Sequence, residues 1–261
     1  MVNARSLAAS LLVPAVSMAA ALPVEEGTVG INIVGGTTAT IGEFPYIVAL
    51  TDGSTFCGGV LISANTVLTA GHCAGMSQSS LRVRAGSANR SSGGTQVSVS
   101  SITIHPSYRE GSDGIPYNDV AVFRLATSIA ESSTIKYATL PAQGSDPATG
   151  SSVTVAGWGL TSENGSGVVS ALRKVTVSVI SRATCRSQYG TSSITDAMWC
   201  ASVPGGGKDA CGGDSGGPII DASTGVLQGV VSWGNGCARA NYAGVYTRIG
   251  NFIDWINANK A

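Results

Sequence analysis

Charge is scarce in this sequence. Of its 261 residues 11% are charged, and 15 Lys and Arg balance 15 Asp and Glu to a formal net charge of zero. A chain this neutral projects little field toward nucleic acid or an anionic membrane, so neither is expected as a partner. Aromatic residues are few, at 6%. Histidine is rarer still, and His72 and His105 are the only candidates for imidazole chemistry. Two His and no C-x-x-C pair leave no zinc-ligand pattern, so no metal or cofactor is expected. Beyond the first residues no apolar run is long enough to cross a bilayer.

What the sequence does contain begins with Arg5, an apolar run through Leu11, Leu12, Val13 and Val16, and small residues at Ala19 to Ala21. That order reads as a secretory signal peptide over residues 1–21, and it places the mature protein outside the cell. Six cysteines in an oxidising compartment point to disulfides, with about 15 pairings open to sequence reasoning. Asn89-Arg90-Ser91 and Asn164-Gly165-Ser166 have the glycan-acceptor pattern. Thirty-five glycines separate strand-like runs, among them Tyr46–Leu50, Gly59–Ile62, Gln96–Ile104, Val153–Trp158, Val175–Ile180, Val226–Trp233 and Gly244–Ile249. Many short strands at this spacing suggest an all-β sandwich or closed antiparallel barrels. Helices are expected from Ser181 to Tyr189 and at the C-terminus, where Phe252, Ile253 and Ile256 share a face. Pro141–Gly150 reads as a boundary between two β units.

His72 follows an apolar strand and precedes Cys73, whereas His105 lies in a turn-like His-Pro-Ser-Tyr context that suits a structural role. Ser215 lies in Cys211-Gly212-Gly213-Asp214-Ser215-Gly216-Gly217-Pro218. Its surroundings fit G-x-S-x-G, yet a nucleophile elbow needs its His after the Ser, and both His precede it. A subtilisin-like order using Asp52 would need parallel strands and long helices, which the pattern lacks. Gly205-Gly206-Gly207-Lys208 is no phosphate loop, because Ser202 stands where the first Gly belongs and Asp209 where the Ser or Thr belongs. Asp119 opens an apolar run, and a carboxylate there needs a partner to offset desolvation.

Ile33-Val34-Gly35-Gly36, Thr69-Ala70-Gly71-His72-Cys73, Asn118-Asp119-Val120-Ala121, Gly157-Trp158-Gly159, Gly212 to Pro218 and Ser232-Trp233-Gly234 occur in that order. Together they resemble the chymotrypsin/trypsin family of serine proteases, from Ile33 to the end. The resemblance implies an all-β fold of two six-stranded antiparallel barrels, about 33–140 and about 151–249, with a C-terminal helix about 250–260 and the active site in the cleft. It implies the disulfides Cys57–Cys73, Cys185–Cys200 and Cys211–Cys237. It also implies Ser215 as nucleophile, His72 as general base oriented by Asp119, and an oxyanion hole from the N–H groups of Gly213 and Ser215. Ser232 and Gly234 would pair with the substrate backbone.

Asp209 matches the base of the family's first-subsite pocket, where a carboxylate selects Lys and Arg, and Gly234 and Gly244 match its walls. Ala210 stands where many trypsins carry Ser, which implies a tilt toward Arg. Residues 22–32 correspond to an activation propeptide, and the ammonium freed at Ile33 would pair with Asp214. Asn32, not Lys or Arg, precedes that cut, so another protease is expected to make it. No Asp or Glu occurs between Asp52 and Glu110, which leaves the family's calcium loop without hard ligands. The few disulfides and the Asn-ended propeptide suggest a microbial or fungal form. Polypeptide substrates and protein protease inhibitors are the implied partners of a monomer. The alternative is a catalytically silent binding protein on the same fold, in which a triad residue would be lost.

Overall fold

The computed structural model describes Met1, Val2 and residues 33–261. The expected signal peptide, after its first two residues, and the segment 22–32 lie outside the described residues. The first half carries β1 (Thr37–Thr38), β2 (Ile47–Thr51), β3 (Phe56–Ser63), β4 (Thr66–Thr69), β5 (Arg82–Ala85), β6 (Thr95–Ile104), β7 (Arg109–Glu110), β8 (Pro116–Tyr117) and β9 (Ala121–Leu125). The second half carries β10 (Ser152–Gly157), β11 (Arg173–Ile180), α1 (Arg182–Tyr189), β12 (Met198–Ser202), β13 (Pro218–Asp221), β14 (Leu227–Trp233), β15 (Gly244–Arg248) and α2 (Ile253–Asn259).

Two closed antiparallel barrels result, as the family resemblance implied. The first runs β2-β3-β4-β9-β6-β5 and returns to β2. The second runs β11-β10-β13-β14-β15-β12 and returns to β11, with β1 added along β11. Closure pairs every barrel strand on both sides, which removes sticky edges. Alternation decides which side chains fill each interior. In β5 Val83 and Ala85 are buried while Arg82 and Arg84 face outward, and in β11 Val175, Val177 and Val179 point inward. Val48, Leu50, Leu61, Leu81 and Phe123 pack the first barrel, and Val153, Val155, Ile219 and Tyr246 the second. Fully burying each large aliphatic or Phe side chain is worth about 1.5–3 kcal/mol.

A third cluster joins the barrels and seats α2: Ile47, Val60, Leu68 and Val122 meet Ala156, Ile220 and Val230, with Phe252, Ile253 and Ile256 closing over them. His105 belongs to this joint, its ring edge-on to Phe252 and Trp255 at 5.0 Å from each. It is structural, as its sequence context suggested. Helix α1 starts where expected because the Ser181 hydroxyl accepts the Thr184 N–H at 3.0 Å. Strand β13 was not expected. Its four residues follow a glycine-rich run and open with Pro218, so they carry no strand pattern of their own. Pairing with β10 and β14 makes them a strand, and without them the second barrel would stay open.

Candidate active site

The cleft is built where three loops meet. His72 lies on a single 3₁₀ turn, Gly71–Gly75, that ends β4. The Cys57–Cys73 disulfide ties this turn to β3. Asp119 stands just before β9, only 2% exposed. It accepts the main-chain N–H of His72 at Oδ1 and faces His72 Nδ1 at Oδ2, both at 2.8 Å. The Ser232 hydroxyl donates to the same Oδ2 at 2.6 Å. Three donors thus offset the desolvation of a buried carboxylate. A proton on Nδ1 directed at Asp119 leaves Nε2 with its lone pair, the form a general base requires. Burial pulls the imidazole pKa down, but the hydrogen bond and charge of Asp119, with a further pull from Glu110, outweigh it and hold His72 above its ordinary value.

Ser215 comes from the second barrel, on the turn that leads into β13. Its carbonyl accepts the Gly58 N–H at 2.8 Å and lies 3.7 Å from Cys73 Sγ, so the disulfide beside His72 also touches the Ser215 turn. The Ser215 hydroxyl makes no hydrogen bond to the His72 ring, and such contacts often tighten only with substrate bound. Gly213 has φ +94°, and a Cβ there would strike Val168. Among the described residues, the N–H groups of Gly213 and Ser215 have no protein acceptor. Two unpaired donors beside a hydroxyl are what a developing oxyanion needs.

A cavity of about 370 Å³ opens beside Ser215, lined by Asp209, Ala210, Ser232, Gly234, Gly244 and Tyr246 among others. Asp209 is 5% exposed. Its Oδ2 accepts the Ala238 N–H at 3.0 Å, while Oδ1 has no partner. Burial pushes this carboxyl up to about 7, with nearby Asp214 adding to the shift. Gly244 lies against it: a Cβ at 244 would sit 2.5 Å from Asp209 Oδ1. The disulfide Cys211–Cys237 braces the cavity wall, and Cys185–Cys200 ties α1 to β12.

Asp214 is fully buried, accepts N–H bonds from Gly159 at 2.8 Å and Cys211 at 3.0 Å, and is pushed by burial up to about 6. Among the described residues no cationic side chain pairs with it. Ile33 is buried in the second barrel's core, and Val34 accepts the Asp209 N–H at 3.1 Å. The start of the described chain is therefore docked against the segment that carries the cavity base. Cys57, His72 and Cys73 also cluster, but the two sulfurs are joined to each other and offer no thiolate to a metal.

A buried carboxylate, an imidazole and a hydroxyl, drawn from two barrels, are what acyl transfer in series requires. The family model for Trypsin matches residues 33–256. The chain belongs to the trypsin family. It is 47% identical over 229 residues to Trypsin Blo t 3 of Blomia tropicalis, covering 86% of this chain and 84% of that one. It is 45% identical over 232 residues to Trypsin beta of Drosophila erecta (87% and 88% covered), and 43% identical over 242 residues to Trypsin-1 of Astacus astacus (87% and 99% covered). As a member of the trypsin family it is a trypsin-like serine endopeptidase, a hydrolase of polypeptides.

Three contacts of this trypsin-like site escaped the sequence reading. The Ser232 hydroxyl is bonded to Asp119, in addition to the substrate-backbone role expected of that residue. Glu110, on β7, acts on His72 through space. At the cavity rim Glu163 forms a forked ion pair with Arg239, 2.9 Å on the Nε side. No spacing rule links residues 76 apart, so this pair leaves no pattern to read.

Proposed function

We propose that the protein is a secreted precursor of an Arg- and Lys-specific endopeptidase, switched on by a cut before Ile33. The observation that carries the specificity is the Asp209 carboxylate, buried at the cavity base with one oxygen unpartnered. A charge so placed is costly until a cation enters, so a Lys or Arg side chain gains more there than a neutral one. Ala210 offers no hydroxyl to a compact ammonium, whereas a guanidinium can fork across the carboxylate, so Arg is favoured over Lys.

In the reaction, Ser215 Oγ attacks the scissile carbonyl while His72 Nε2 takes its proton and then delivers it to the leaving amine. Asp119 orients the imidazole and stabilises its charged form. The N–H groups of Gly213 and Ser215 hold the oxyanion, and losing one such donor typically costs on the order of 100- to 1,000-fold in rate. The substrate backbone runs along Ser232 and Gly234 as an added strand. Activation supplies Asp214 with its missing cation. The new α-ammonium of Ile33 pairs with the buried carboxylate and braces the Gly213 turn; before the cut there is no such charge to give. Asn32 at the cut makes the activator a different protease. The signal peptide over 1–21, the propeptide over 22–32, glycans at Asn89 and Asn164, and a monomer free of metal belong to the same reading. A catalytically silent relative is disfavoured because His72, Asp119 and Ser215 are all retained.

Cleavage of matched Arg, Lys and Phe amides, before and after removal of residues 1–32, tests this. The shortened protein should cleave Arg fastest, Lys next and Phe scarcely, and the precursor should be nearly inert. Equal rates on Arg and Phe would overturn the pocket assignment, and an active precursor the activation scheme.

A further inference from the structure

A second concavity, of about 230 Å³, lies on the outer face of the first barrel. Arg82 and Arg84 of β5 and Arg90 of the following loop line it, over a floor that includes Ala49 and Thr51. Among the described residues, none of the three has a carboxylate within 4.0 Å. Asp52, next to the floor, spends its oxygens on the N–H groups of Ser54, Thr55 and Ser77. Neutral acceptors hold the cations in place instead. Arg82 donates to the Leu81 carbonyl at 3.0 Å, Arg84 to the Gly93 carbonyl and Gln96, and Arg90 to the Val169 carbonyl at 3.0 Å while lying over the Phe56 ring. Three arginines therefore line one hollow with no carboxylate to compensate them, in a chain of zero net charge. Their forked donors match carboxylate geometry.

Strand register relates this hollow to the cleft. Gly58 pairs with Ala49, and Ala49 pairs with Arg84, on one outward face of the barrel. At about 4.8 Å per strand, Arg84 is about 10 Å across from Gly58. Gly58 itself donates to the Ser215 carbonyl. The Asp209 cavity and the Ser232–Gly234 edge lie in the second barrel, so a polypeptide whose basic side chain fills that cavity leaves Ser215 over the first barrel, past Gly58 and Phe56. An extended chain covers about 3.3 Å per residue, and an arginine side chain reaches back several ångströms. The third or fourth residue after the cut meets the hollow.

We infer that Arg82, Arg84 and Arg90 form a subsite for an Asp or Glu carboxylate three to four residues beyond the scissile bond, so that substrates and inhibitors acidic there are favoured. The inference rests on the proposed roles of Ser215 and Asp209. One compact hollow in a neutral protein suits a short acidic segment; a long polyanion would need a basic stripe.

The test uses the activated enzyme and peptides identical except for Glu-Glu or Gln-Gln at the third and fourth positions after a single Arg. At low salt kcat/KM should be about 3- to 10-fold higher for Glu-Glu, the range of a few partly exposed ion pairs. The ratio should fall toward one in high salt and in the double variant R82Q/R84Q. A single-residue Arg amide has no chain after the cut and should be cleaved equally by both enzymes. A wild-type ratio of one, or a ratio that survives in R82Q/R84Q, overturns the subsite. So does R82-and-R84-dependent binding of a sulfated polysaccharide with no peptide preference. The wild-type ratio and its salt dependence need no variant to fold. If the Arg amide itself resists cleavage, the catalytic reading fails first, which separates the two outcomes.

Discussion

Asp209 carries two opposing duties that its neighbours make visible. Its carboxyl, pushed up to about 7, is protonated at low pH and charged above neutrality. Because the folded value exceeds the ordinary carboxylate value, this group contributes stability that is present at acid pH and lost as pH rises through about 7. Asp209→Asn cannot ionise, so its Tm should exceed that of the wild type at pH 8, with the gap closing toward pH 4, as thermal melts will record. The same variant should lose on the order of 100-fold or more in kcat/KM on an Arg amide, since the cation then enters without a counter-charge. A Tm below the wild type at every pH would show that the carboxylate is held by more than the Ala238 N–H. The acid at this position was legible from its register with Ser215 in a family motif. Its unpaired oxygen was not, because that depends on how Gly244 of β15 and Ala238 of the loop before it approach.

Among the elements, the short β7–β8 hairpin is the least expected contributor. Two residues per strand give no periodicity, and Arg109 and Glu110 are both exposed. Folding brings Glu110 near enough to help hold His72 above its ordinary pKa. His72 must be neutral to accept a proton, so activity rises as pH climbs through the raised value. Glu110→Gln should shift the acid limb of the kcat/KM profile to lower pH and leave the plateau unchanged. An unmoved acid limb would remove Glu110 from the site's electrostatics. Longer strands were readable because a period of two repeated often enough, as in β11; β13, with Ile219 facing the barrel interior and Ile220 the joint between barrels, was not.

At the scale of the whole molecule, the two barrels meet at one interface, each disulfide lies within one half, and His72, Asp119 and Ser215 are drawn from both sides of that interface. The second barrel holds Asp214 with no side-chain cation among the described residues. If the Ile33 ammonium supplies the charge, its pKa is raised above about 7.7–8.0, and the active form is intact below that range and fades as pH rises through the raised value. The activated enzyme should therefore lose kcat/KM on an Arg amide at alkaline pH, while an Asp214→Asn variant stays inactive throughout. A precursor incubated with a trace of active enzyme should remain uncut at Asn32, and rapid autocatalytic processing seen by gel would reverse that expectation.

The linear chain alone decided the family, because backbone-level demands such as the Gly213 turn leave a mark in adjacent residues. It likewise set the strand alternation, the motif that carries Ser215, one usable imidazole and several acids. Tertiary structure alone decided which of those acids lack a counter-charge, that Ser232 bonds Asp119, and that three arginines share one hollow. These depend on distances between residues remote in sequence, and electrostatic energy follows distance through space, not along the chain.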